Sequence, residues 1–214
     1  MVELSEPNDS LVVSYLGLRK AVGIIGVAMP FVLAFGKMLL QGPGIQGSIS
    51  GYYYTEMRDV FVGSLWAIGV FLLSCRGYDK RDEVAAWLAC GFAIGVALFP
   101  ATPYMDANEQ DILIGKLHYA FAALLFLTLA YFCLALFTQT DPDKIPTPQK
   151  LKRNALYRVC GWTILACVAL TAIVALPSVK PMVEKLSPVF WLESGAVVSF
   201  GVAWLTKGET ILKD

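Results

Sequence analysis

Lys116-Leu117-His118-Tyr119-Ala120-Phe121-Ala122-Ala123-Leu124-Leu125-Phe126-Leu127-Thr128-Leu129-Ala130-Tyr131-Phe132-Cys133-Leu134-Ala135-Leu136-Phe137-Thr138 carries no Lys, Arg, Asp or Glu after its first residue. About 20 consecutive apolar residues, rising 1.5 Å each as a helix, cover the roughly 30 Å hydrocarbon core of a bilayer. This stretch therefore reads as a transmembrane helix. Five more runs of the same character lie around it: Arg19–Leu40, Asp59–Cys75, Val84–Phe99, Leu156–Leu176 and Val189–Thr206. Pro30 predicts a kink in the first. Pro100, Pro103 and Pro177 close the third and fifth. The second and third are short, so they are expected to stand upright or to thin the bilayer.

The expected fold is an all-α membrane bundle of six helices in one domain, residues 1–214. The composition agrees: 57% of residues are hydrophobic, against about 45–50% in a soluble domain. Charge is low, with 17 basic and 17 acidic residues, so no nucleic-acid partner is expected, which would need a basic stripe. The chain begins Met1-Val2-Glu3-Leu4-Ser5-Glu6, acidic where a signal peptide is basic. The first apolar run is expected to remain as a span.

Lys and Arg set the orientation, since they collect in short cytoplasmic loops. One side holds Arg19, Lys20, Arg76, Lys80, Arg81, Lys144, Lys150, Lys152, Arg153, Arg158, Lys207 and Lys213. The other holds Lys37, Arg58, Lys116, Lys180 and Lys185. Twelve against five places both termini in the cytoplasm. Cys75, Cys90, Cys133, Cys160 and Cys167 fall within spans or at their inner ends, so no disulfide is expected. Without CxxC or zinc-type spacing, inert buried thiols are expected. Gly23 and Gly26, Gly63 and Gly69, Gly91 and Gly95, and Gly195 and Gly201 are small positions where helices can approach closely. The Pro-rich linker Thr140–Pro148 separates four helices from a final hairpin.

With this orientation the starts of spans two, four and six face the outer leaflet. They carry Glu56-Met57-Arg58-Asp59, Lys116-Leu117-His118-Tyr119 and Phe190-Trp191-Leu192-Glu193. Glu193 falls about 7 Å inside its span. Asp59, His118 and Glu193 are therefore expected at one depth, beside Tyr52, Tyr53 and Tyr54 of a Gly-rich loop. Ionisable groups at membrane depth are costly and mark functional candidates. The candidate ligand-binding set is Arg58, Asp59, His118, Glu193, Tyr52, Tyr53, Tyr54 and Lys116. Each also has a plain structural reading. The tyrosines and Trp191 suit an interfacial aromatic belt. Arg58 and Asp59 suit an ion pair or a helix start, and Lys116 suits snorkelling. Glu193 paired with Arg58, Lys116 or His118 would suffice to hold a bundle together.

One histidine cannot build a bis-histidine haem site or a three-histidine zinc site. There is no HExxH, GxSxG or P-loop. No metal or cofactor is expected, and no catalytic residue is assigned. A Ser/His/acid arrangement of Ser48 or Ser50 with His118 has no nucleophile motif behind it.

Several segments together resemble a known group. They are Tyr53-Tyr54-Thr55-Glu56-Met57-Arg58-Asp59-Val60-Phe61-Val62-Gly63, Arg76-Gly77-Tyr78-Asp79-Lys80-Arg81-Asp82, Gly95-Val96-Ala97-Leu98-Phe99-Pro100, Leu117-His118-Tyr119 and Phe190-Trp191-Leu192-Glu193. The chain resembles an uncharacterised family of bacterial six-transmembrane proteins. More distantly it is similar to the domain-of-unknown-function and FRAG/DRAM/Sfk-type six-helix membrane proteins. The resemblance implies a six-helix fold in a bacterial cytoplasmic membrane and no reaction, with a lean toward lipid binding. Three functions stay open. The outer polar site binds a lipid headgroup or small amphipathic ligand. The protein is an accessory subunit of a larger membrane complex, or a homo-oligomer. Or it is an intramembrane lipid-modifying enzyme with His118 or Glu193 as acid/base.

Overall fold

A backbone out of water must satisfy its own polar groups, and a helix does so within one segment. The computed structural model describes residues 7–74, 79–140, 143 and 145–212. The readings placed on the first six residues and on Cys75, Arg76, Lys144 and Lys213 lie outside the described residues. The helices are α1 (Pro7–Gln41), α2 (Arg58–Ser74), α3 (Lys80–Leu98), α4 (Glu109–Tyr131), α5 (Pro148–Val174), the short α6 (Lys180–Val183) and α7 (Pro188–Lys207). A π-helical turn, Phe132–Leu136, prolongs α4.

Four segments are long and apolar enough to cross a membrane: Tyr15–Gln41, Glu109–Leu136, Pro148–Val174 and Pro188–Lys207. The fold is that of a helical membrane protein. Helix ends differ from the apolar runs because caps, not hydropathy, set them. Asp79 and Asp82 form a capping box that starts α3 at Lys80. Asn108 and Asp111 do the same for α4 at Glu109, and Thr147 caps α5. These polar first turns extend the helices beyond their apolar stretches. α1 continues through Pro30.

The six long helices pack as a ring in chain order, with α7 closing it against both α5 and α1. The final hairpin is thus part of the same ring. Gly201 of α7 packs directly on the backbone of α1. A Cβ there would stand 2.7 Å from the Val27 backbone nitrogen and 2.8 Å from the Gly23 carbonyl oxygen. Gly26 also packs on Gly201, Gly69 packs on Cys90 and Ala93, and Gly95 packs on the Phe121 ring. Gly63 and Gly91 face open space instead. Opposite the loop-bearing end, Trp204 stacks edgewise on Phe137 at 5.2 Å and Phe132 at 6.0 Å. Cys90, Cys133 and Cys160 are buried free thiols, and Cys167 is a partly buried one.

Candidate functional site

The α1–α2 connection folds back over one end of the bundle. Two glycines make its first bend, Gly42 at φ +87° and Gly44 at φ +104°, left-handed conformations that other residues resist. Lys37 donates to the Gly42 and Pro43 carbonyls at 3.2 and 3.3 Å, which holds the end of α1 to this bend. The loop then forms a short 3-10 helix, Ser50–Tyr54. Tyr52 is fully buried there, its ring 6.1 Å from that of Phe190. Burial pushes its phenol up from the ordinary value, so it stays protonated at neutral pH.

A helix start leaves backbone N–H groups without partners. Here Glu193, from α7, supplies the acceptor. Its Oε2 takes the Ile49 N–H at 2.6 Å. One turn earlier in α7, the Phe190 N–H donates to the Gly47 carbonyl at 3.0 Å. The loop is thus pinned to α7 twice.

His118 makes the third fastening, from α4. It is 1% exposed. Its Nδ1 lies 2.6 Å from the Phe99 carbonyl oxygen and its Nε2 lies 2.8 Å from Ser50 Oγ. A carbonyl only accepts, so Nδ1 carries the proton toward Phe99. In the neutral ring Nε2 then accepts from the Ser50 hydroxyl. The Tyr54 hydroxyl donates to the Ala101 carbonyl at 2.6 Å, and Ser48 Oγ lies 3.4 Å from the Tyr104 hydroxyl. These two join the loop to the α3–α4 connection.

Below the loop lies a cavity of about 50 Å³. Met29, Phe61, Leu125 and Phe200 wall it, while Ser50 and Glu193 give it one polar end.

The sequence-predicted residues divide into two groups. His118, Glu193 and Tyr52 come together around the 3-10 helix. Arg58, Asp59 and Lys116 are exposed outside it. Arg58 donates to the Tyr53 hydroxyl at 2.6 Å and stacks over that ring at 4.3 Å. Tyr54 is largely exposed apart from its bonded hydroxyl. The expected pairing of Glu193 with Arg58, Lys116 or His118 does not form. Among the described residues no ion pair reaches Glu193, and the Ile49 backbone N–H takes its place. Sequence reasoning sets Ser50 beside His118 only within a Ser/His/acid arrangement that no motif backs, and it does not single out the Gly47 and Phe99 carbonyls. Ser50 had one visible signal, a hydroxyl within an otherwise shaped Gly-rich loop.

Among the described residues no three His, Cys, Asp or Glu side chains stand together as metal ligands. Fold and site define a helical membrane protein with a loop-sealed polar end. Comparison with family models, with curated proteins and with solved structures found no match.

Proposed function

We propose that this is a six-span protein of a bacterial cytoplasmic membrane, both termini cytoplasmic, whose outer end binds the polar part of a lipid or small amphipathic molecule. For the span count, α2 and α3 have 17 and 19 residues, roughly 25 and 28 Å. They sit in the ring between two helices long enough to cross. The observation that carries the binding reading is the cavity itself, apolar along its walls and polar at Ser50 and Glu193. That is the complement of an amphipathic guest. Its volume sets a limit. An apolar cavity of about 150 Å³ takes a benzene-sized guest, so about 50 Å³ admits a group of a few atoms. A larger headgroup must lift loop 42–57 and replace its hydrogen bonds to Glu193 and His118.

Native mass spectrometry of the full chain, purified from its membrane in mild detergent, tests this. A stoichiometric lipid or amphiphile adduct is expected. It should fall at least tenfold in Leu125→Trp, which fills the cavity, and in Glu193→Ala. A wild-type protein carrying no adduct, or one bound equally by both variants, rejects the reading.

One contact favours a second reading, the lipid-modifying enzyme. Ser50 Oγ, His118 Nε2 and the Phe99 carbonyl line up as nucleophile, base and orienting group. Against it, the Ile49 N–H is given to Glu193, and the Gly51 N–H donates to Ser48 Oγ at 3.0 Å. These groups do not face a developing oxyanion. A fluorophosphonate probe on the protein in nanodiscs separates the two readings. An adduct on Ser50 that His118→Phe abolishes establishes the enzyme. An unlabelled Ser50 in folded protein removes it.

A further inference from the structure

A second apolar groove lies at the opposite end of the bundle, between α3 and α4. Its volume is about 630 Å³, within the roughly 300–1,000 Å³ usual for ligand sites. Val84, Leu88 and Phe92 line it from α3, and Leu124, Leu127 and Tyr131 from α4. The helices run antiparallel here. Phe92 meets Phe121, with ring centroids 6.3 Å apart, so Lys80 and Arg81 fall beside the Tyr131 end. Thr128, the one hydroxyl on the α4 wall short of Tyr131, donates to the Leu124 carbonyl at 2.8 Å and leaves the wall apolar. From Lys80 to Phe92 the groove runs about 18 Å along α3. One leaflet of a roughly 30 Å core is about 15 Å deep.

The charge is at one end only. Lys80 and Arg81 line the groove there, both exposed. The nearby Asp79 and Asp82 carboxylates are held by backbone N–H groups, and Asp79 also approaches one of the groove cations. Asp79 accepts the Arg81 and Asp82 backbone N–H groups, at 2.8 and 3.2 Å, and stands 3.7 Å from the Arg81 guanidinium. Asp82 is buried and accepts the Asp79 N–H. Glu83 does not line the groove. What faces an incoming headgroup is two cations above an apolar channel of one leaflet's depth. α4 is itself a candidate membrane span, so acyl chains are what border its outward face.

We infer that this groove holds an anionic phospholipid, one acyl chain between α3 and α4 and the phosphate on Lys80 and Arg81. This site is separate from the loop-sealed end, so the failure of either assignment leaves the other standing.

The test is native mass spectrometry of the full chain titrated with dioleoylphosphatidylglycerol or dioleoylphosphatidylcholine. Preference for the anionic lipid is expected. Each Lys or Arg near an anionic phosphate is worth about 1 kcal/mol, or about fivefold in affinity. Lys80→Gln with Arg81→Gln should therefore lose roughly 25-fold for phosphatidylglycerol and little for phosphatidylcholine. Leu88→Trp, which fills the groove, should weaken both. Melting of each variant in lipid-free detergent checks that it is folded. Equal binding of the two lipids by the wild type, or phosphatidylglycerol binding unchanged in the folded double variant, overturns the assignment.

Discussion

Replacing Glu193 by alanine is expected to unfasten loop 42–57 from the bundle while α7 itself stays helical. Glu193 Oε2 is the acceptor for the Ile49 N–H. A buried donor left without a partner costs about 1–3 kcal/mol. A local cost of about 2 kcal/mol follows, roughly thirtyfold in the opening equilibrium. Hydrogen exchange on the protein in detergent reads this directly. The Ile49 amide should exchange about 30 times faster, and the amides of α5 should not change. Glu193→Gln keeps one carbonyl acceptor at the same place and should lose only part of the protection. If the Ile49 amide is as protected in Glu193→Ala as in the wild type, the loop is not held this way. The binding reading would then lose its polar end.

The other large effect is expected at Gly201. A leucine there must fit where a single Cβ already meets the Val27 nitrogen and the Gly23 oxygen, both backbone atoms. Backbone cannot swing aside as a flexible side chain can, so α1 and α7 must separate. Overpacking of this kind costs about 3 kcal/mol or more. In a chain of this size that lowers Tm by roughly 10 °C. Gly63→Leu is the matched control. Gly63 faces open space, so the same added volume should move Tm by no more than about 2 °C. Equal shifts in the two variants would mean that the α1–α7 contact is not the close approach described.

These two glycines show how far pattern reading reaches. Both are small residues inside apolar runs, and nothing in their spacing separates the packed one from the open one. Which neighbour a helix face meets depends on its rotation within the ring, and six apolar faces of low amphipathicity leave that rotation unmarked. The ionisable residues at the expected outer end behave similarly. Arg58, Asp59, His118 and Glu193 all stand near helix starts in the sequence. Two turn inward to the 3-10 helix and two stay outside. A helix start precedes its apolar run wherever a capping box lies outside that run. α4, for example, begins at Glu109, seven residues before Lys116.

The sequence by itself determined that this chain is helical and bound for a membrane. Uncharged runs of span length have few other stable forms, because lipid offers the backbone no partners. It also marked Glu193 and His118, since each is a polar group that an apolar run must account for. Only the tertiary structure decided what accounts for them. Their partners are the Ile49 N–H, the Ser50 hydroxyl and the Phe99 carbonyl, mostly backbone atoms brought in from distant positions. Every residue carries the same backbone groups, so their pairing leaves no trace in residue identity and appears only once the loop has closed over the bundle.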